Sequence, residues 1–286
     1  MSRTRLLLCT DMDRTVLPNG SQPEHPEARP CFREFCRQPG VCLTYVTGRH
    51  LALVEQAIAD YALPQPDYAI TDVGSKIYRF IDSRAHEMLL WEEQIAADWR
   101  GRSHTQLKQA FANIHDLTLQ EEEKQNRFKL SYYLDLAIDK DAIIEQMAAI
   151  LHDRGVHASL IWSVDEPRQI GLLDVLPQNA TKLHGLRFLQ EHLGYETNEV
   201  IFAGDSGNDL PVLGSEMNAV LVANASEEVR ALAQKMVAHG GYSASLYLAR
   251  DDAFSLGGNY AAGVLQGIWH FQPVLRPCLA SLGCSP

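Results

Sequence analysis

Four short segments carry the residues best suited to chemistry, and together they suggest the handling of a phosphoryl group and a cation. The first is Asp11-Met12-Asp13-Arg14-Thr15, directly after the apolar run RLLLCT (5–10). In an open parallel sheet, ligands bind beyond the carboxyl ends of the strands, so two carboxylates here stand where a ligand would. A solvated acidic turn is the plainer alternative. The second is Val46-Thr47-Gly48-Arg49, where a strand gives way to a helix. A hydroxyl and the free amides of a helix start suit phosphate oxygens, although Thr-Gly is also an ordinary cap. The third is Lys182 in QNATKLHGL (178–186), otherwise readable as a surface lysine in a first helical turn. The fourth is Gly204-Asp205-Ser206-Gly207-Asn208-Asp209, after VIFA. Its two carboxylates, four residues apart with Gly and Asn between them, suit a hard cation with oxygen ligands better than a core turn.

The elements that must position these segments alternate along the chain. RLLLCT (5–10), VCLTYV (41–46) and YAIT (68–71) read as buried strands, and Val54, Ala57, Ile58 and Tyr61 repeat at helical spacing between the last two. EVIFAGD (199–205) and AVLVA (219–223) resume the pattern, followed by a helix that Ser226 caps before Glu227 and Glu228. Strands alternating with helices imply a doubly wound, Rossmann-like and mostly parallel α/β sheet covered on both faces. The middle differs. Residues 91–115 read as helix. RFKLSYYLDL (127–136) alternates, with Phe128, Leu130, Tyr132, Leu134 and Leu136 on one face and Lys129, Ser131, Tyr133 and Asp135 on the other. A helix from Asp139 to Arg154 follows, capped by Gly155, and then VHASLIW alternates again. These features predict an α+β insertion. The Pro-rich stretch 18–30 reads as a loop.

With 286 residues, 46% hydrophobic and 21% charged, the composition supports a well-packed globular protein. A net charge of -11 and a pI near 5.4 argue against nucleic-acid binding, which needs a basic surface. No apolar run is long enough to cross a bilayer, and MSRTRLLLCT leads into the acidic motif without a cleavage-type segment, so a cytoplasmic protein is expected. Cys9, Cys31, Cys36, Cys42, Cys278 and Cys284 form no CxxC pair and are expected to be reduced structural thiols.

The order and spacing of the four segments resemble the four motifs of haloacid dehalogenase-like phosphotransferases. That resemblance implies Asp11 as nucleophile, Asp13 as general acid and base, Thr47 and Lys182 as holders of the transferring phosphoryl oxygens, and a Mg²⁺ site of Asp11, Asp13, Asp205 and Asp209. Thr15, Gly48, Arg49 and Asn208 are expected to border the substrate. Physical chemistry agrees, because a carboxylate attacking a phosphate dianion needs a cation and a lysine to offset like-charge repulsion. An aspartyl-phosphate then divides one hard hydrolysis into two easier displacements.

TDVGSKIY (71–78), FKLSYYLD (128–135), LLDVLPQNATK (172–182) and AAGVLQGIWHF (261–271) are similar, within the subclass carrying an α/β cap, to the sucrose-phosphate phosphatase family. Arg14 departs from it, standing where such proteins more often have Asn. So does Gln178-Asn179-Ala180-Thr181-Lys182, in place of an Asn-Lys-Gly pattern. The resemblance implies a discontinuous catalytic core (1–81 and 172–286) with an inserted cap (82–171) that selects the substrate. Lys129, with Ser131, Tyr133 and Asp135, would meet the sugar, and Gly74 and Ser75 would lie at the cleft edge. The expected substrate is a small-molecule sugar phosphate, sucrose 6-phosphate first, with mannosylfructose phosphate and glucosylglycerol phosphate as alternatives. A phosphomannomutase-like mutase and a non-catalytic sugar-phosphate-sensing module are the rival classes, and association with a sugar-phosphate synthase is a further expectation.

Overall fold

The computed structural model describes residues 5–165 and 168–286. Twelve strands are described, in chain order. The first five are β1 (Leu6–Thr10), β2 (Val41–Val46), β3 (Tyr68–Thr71), β4 (Lys76–Ile81) and β5 (Arg84–Glu87). β6 (Thr118–Leu119), β7 (Leu130–Leu134), β8 (Ala158–Asp165) and β9 (Ile170–Pro177) follow, then β10 (Val200–Gly204), β11 (Asn218–Leu221) and β12 (Leu246–Leu248). The principal helices are α1 (Ala28–Cys36), α2 (Leu51–Asp60), α3 (Leu89–Ala96), α4 (His104–Ala110), α5 (Lys140–Asp153), α6 (Lys182–Leu193), α7 (Leu210–Leu213), α8 (Glu227–Gly240) and α9 (Ala261–Phe271).

The chain divides into two compact units, Met1–Glu87 with Gly185–Pro286, and Met88–His184. These divisions differ from the expected 81/82 and 171/172. A hairpin carries the first sheet on to Glu87, and LLDVLP (172–177) lies within β9, paired with β7 and β8.

In the first unit an eight-stranded sheet runs in the order β12-β11-β10-β1-β2-β3-β4-β5, parallel from β12 to β3. Every residue of β1 and β10 is buried, as expected of apolar strands covered on both faces. The antiparallel β4–β5 hairpin is an addition to the predicted sheet. Its two-residue turn, Asp82-Ser83, has both φ angles positive (49° and 60°), the conformation that matches the twist of paired strands. The Pro-rich stretch is not loop throughout, because α1 begins at Ala28 and Pro30 sits in its first turn, where a missing N–H costs nothing. On one side of the sheet Leu6, Leu8, Tyr45 and Ile201 pack with Phe32 and Phe35 of α1 and with Val264, Leu265 and Ile268 of α9. A Cβ on Gly267 would fall 2.0 Å from Val220, so glycine lets the α9 backbone approach β11.

The second unit is an antiparallel sheet, β6-β7-β9-β8, with α3, α4 and α5. The helix expected over 91–115 is broken: Arg100 and Gly101 take left-handed backbone (φ 47° and 78°), and Ser103 starts α4 with a capping box to Gln106. The strand expected over 127–136 shrinks to β7, because Asn126 and Lys129 close a turn before it and the Asp135 carboxylate accepts the Ala137 N–H after it. Phe128, Leu130, Tyr132 and Leu134 are buried as the alternation predicted, with Phe128 against Trp99 and Tyr132 against Phe111, whereas Leu136 is exposed. α5 matches its expected bounds within a residue at each end, with Asp139 capping its amides and Gly155 left-handed beyond its end. No helix among the described residues is long and apolar enough to cross a membrane, and all six cysteines are free thiols.

Candidate active site

The first unit's sheet reverses its winding between β1 and β10, since the chain builds β2 and β3 on one side of β1 and later β10 and β11 on the other. A crevice opens beyond the carboxyl ends of strands at such a point. Asp11 follows β1 there and Asp205 follows β10, with the Asp11 N–H donating to the Ala203 carbonyl at 2.8 Å. Asp209 is brought back by one tight turn. Its Oδ2 accepts the Asp205 and Ser206 amides and the Ser206 hydroxyl, each at 3.1 Å. Ser206-x-x-Asp209 is a capping-box spacing that sequence reasoning could have found. Gly204 is what allows it, because a Cβ there would lie 2.6 Å from the Asp209 carboxyl carbon.

Oxygens of Asp11, Asp205 and Asp209 lie within 4.8 Å of one another, and all three residues are buried. Three carboxylates so close and so dry repel one another, and a hard cation taking oxygen ligands relieves that cost. Thr15 joins them, its hydroxyl donating to Asp205 at 3.3 Å. Asp13 does not belong to the cluster, contrary to the expected metal set: its half-exposed carboxylate accepts Arg49 Nε at 2.8 Å, Arg49 Nη2 at 2.6 Å and Asn19 Nδ2 at 2.7 Å. Arg49, expected beside substrate, is thus committed to Asp13. That hydrogen bond is the chief cause holding the guanidinium pKa above its ordinary value, against burial.

Thr47, at the end of β2, is buried, and its hydroxyl accepts the Arg49 N–H at 3.2 Å. Gly48 has ordinary room, its nearest neighbour being Val73 at 3.9 Å. Ser75 is buried with its hydroxyl on the Asp72 carbonyl, an arrangement that shapes the turn after β3. Asn208 accepts the Ser206 hydroxyl at 2.8 Å. Lys182 opens α6 and is buried rather than a surface lysine, with Thr181 capping the same helix.

In the second unit Lys129 is buried just ahead of β7. Ser131 is hydrogen-bonded to Asp174. The Tyr133 hydroxyl meets Glu121 and Lys124, each at 2.7 Å, and Arg168 at 3.1 Å. Tyr133 is the first cause drawing the Glu121 carboxyl down to about 2. Asp135 closes its own turn.

Sequence reasoning marked Arg14 only as a departure from the family pattern and missed Asn19, Asn224 and Tyr260. Asn224 donates to the Arg14 carbonyl at 2.7 Å and accepts the Tyr260 N–H at 2.8 Å, tying the loop after β1 to a segment more than 200 residues away. No local spacing encodes such a partner.

Residues 4–272 match the family model described as sucrose-6F-phosphate phosphohydrolase. The chain belongs to this family. It is therefore a phosphatase of the haloacid dehalogenase-like hydrolases. A Nitrosococcus oceani protein, named no further than HAD-like hydrolase, is 49% identical over 96% of this chain and 74% of its own length. Mannosylfructose-phosphate phosphatase of Agrobacterium fabrum is 30% identical over 80% of this chain and 87% of its own. The sucrose-phosphatase of Synechocystis sp. PCC6803, solved with sucrose and phosphate, aligns with a TM-score of 0.71 at 26% identity, covering 94% and 98%. Coverage is shorter elsewhere: the chain spans about half the length of the Arabidopsis sucrose-phosphatases (52% and 53%) and 26% of a Pseudomonas anguilliseptica glucosylglycerol-phosphate synthase.

Proposed function

We propose that this chain is a Mg²⁺-dependent phosphatase acting on a disaccharide phosphate, sucrose 6-phosphate or a close relative, through an aspartyl-phosphate on Asp11. The observation that carries this reading is the buried Asp11–Asp205–Asp209 cluster at the switch point of a parallel sheet. Its all-oxygen, anionic donor set fits Mg²⁺ held by those three residues. When bound, the ion neutralises the charge that builds as one anion attacks another. The Asp11 carboxylate attacks phosphorus, and the bond from phosphorus to the sugar oxygen breaks. Asp13 gives that oxygen its proton, then takes one from the water that cleaves the aspartyl-phosphate, releasing phosphate and restoring Asp11. Arg49 and Asn19 orient the Asp13 carboxylate, and one of its oxygens must leave Arg49 to carry the proton. Thr47 and Lys182 hold the phosphoryl oxygens, and Lys129 with the polar face of β7 selects the sugar. The mannosylfructose-phosphate phosphatase relative favours a second reading, a different glycoside phosphate with the same chemistry. The resemblance to part of a synthase leaves room for a synthase partner.

The test is phosphate release across sucrose 6-phosphate, mannosylfructose phosphate, glucosylglycerol phosphate and hexose monophosphates, with and without Mg²⁺. Release from one disaccharide phosphate well above the monophosphates, abolished by chelation, is expected. Isomerised sugar phosphate without free phosphate would turn the assignment to a mutase, and turnover undiminished in EDTA would remove the cation.

A further inference from the structure

Arg14 is a left-handed residue (φ 57°) inside the loop after β1. That conformation is strained for a side chain bearing Cβ, and Gly or Asn would adopt it more cheaply. The loop enforces it from both ends, since the Arg14 N–H donates to Asn19 and its carbonyl accepts from Asn224. Arg14 directs its Nε to 3.4 Å from Asp205 Oδ2 and its Nη2 to 3.4 Å from the Asn224 carbonyl. Gly20 gives its room to the Tyr260 hydroxyl, which a Cβ there would meet at 2.8 Å. Asp205 is only 3% exposed and Arg14 47%, so a partly hydrated cation rests against a buried member of the acidic cluster.

We infer that Arg14 is a built-in counter-charge of the acidic cluster, supporting the fold while the cluster is metal-free and lowering its affinity for a divalent cation. The inference rests on the cation-site reading above. A fixed positive charge beside Asp205 offsets part of the repulsion among the three carboxylates. The same charge weakens the field that attracts an incoming divalent ion. A neutral side chain at position 14 would reverse both effects, leaving a tighter cation site in a less stable metal-free protein.

The experiment compares wild type, Arg14→Gln and Arg14→Lys, all of which keep the left-handed strain, so backbone relief does not blur the charge effect. Mg²⁺ binding is read by calorimetry, and thermal unfolding is followed in metal-free buffer and at saturating Mg²⁺. Arg14→Gln is expected to bind Mg²⁺ roughly three- to tenfold more tightly, as befits a partly exposed ion pair. It should also melt at a lower temperature without metal and gain more from saturation than wild type does. Arg14→Lys should stay near wild type. Equal Mg²⁺ affinity in wild type and Arg14→Gln, or a Lys variant that behaves as the Gln variant does, overturns the role of Arg14 and leaves the cation site standing. A wild-type protein that takes up no Mg²⁺ overturns the site itself, and this inference with it.

Discussion

The two units hold polar side chains in opposite ways. In the first, Asp11, Asp205 and Asp209 are buried at strand ends: backbone amides reach Asp11 and Asp209, the Ser206 hydroxyl reaches Asp209, and the Thr15 hydroxyl and Arg14 reach Asp205. In the second, Tyr133 engages Glu121, Lys124 and Arg168, and Ser131 engages Asp174, all through side chains, with Glu121 and Arg168 exposed. A backbone-held group moves only when its strand or turn moves, whereas a side-chain network can exchange members without disturbing the sheet beneath it. Under the proposed function, chemistry common to every substrate would belong on the first kind of support, and discrimination among substrates on the second.

Asp11→Asn tests the rigid half most severely. Turnover should fall by about 10³-fold or more on every phosphate ester, with an unchanged circular dichroism spectrum, because the amide keeps the shape and loses the nucleophile. Activity within tenfold of wild type would break the comparison at its base. Gly204→Ala forces a methyl group against Asp209 and should cost about 1–3 kcal/mol of stability along with most Mg²⁺-dependent activity. Denaturant melts and Mg²⁺ titrations would read both losses. Lys129→Ala should lower kcat/KM for the preferred disaccharide phosphate by about 1–3 kcal/mol and leave p-nitrophenyl phosphate nearly untouched. Equal losses on both esters would erase the distinction between the units.

The smallest effect concerns His104 in α4, whose pKa is lowered chiefly by burial and further by Lys108, against a hydrogen bond that the ring donates to the Gln125 amide oxygen. The folded protein resists protonating this ring, so stability holds above the ordinary histidine range and falls as pH drops through it towards the depressed value. His104→Gln should flatten that decline slightly, the ring being half exposed. Melting temperatures between neutral pH and pH 5 would show it, and parallel curves for both proteins would remove His104 as a contributor.

Legibility in the sequence follows the same divide. Strands β2 and β3 match their apolar runs residue for residue, and β1 and β10 do so within one residue at each end, because burial on both faces writes itself as unbroken hydrophobic sequence. The clustering carboxylates Asp11, Asp205 and Asp209 were readable from their places after those strands. That Asp13 turns away to Arg49 was not, since the partner lies 36 residues on and the choice depends on side-chain reach. The division of 91–115 into two helices rests on a left-handed Arg100, which no propensity announces. The unit boundaries slipped because β9 is apolar enough to read as a core strand, although it pairs with β7 and β8.

The staple of the loop that follows β1 bears on the order of folding. Asn224 reaches back 210 residues to Arg14, Asn259 reaches 236 to Pro23, and the Tyr260 hydroxyl reaches 238 to Gln22. Contacts of such sequence separation carry a large loop-closure cost and form late. During synthesis the loop bearing Asp11 emerges early and must wait for nearly the whole chain before it is locked in place. In refolding, secondary structure should return well before catalytic competence, and the lag between them measures the docking of this one distant segment.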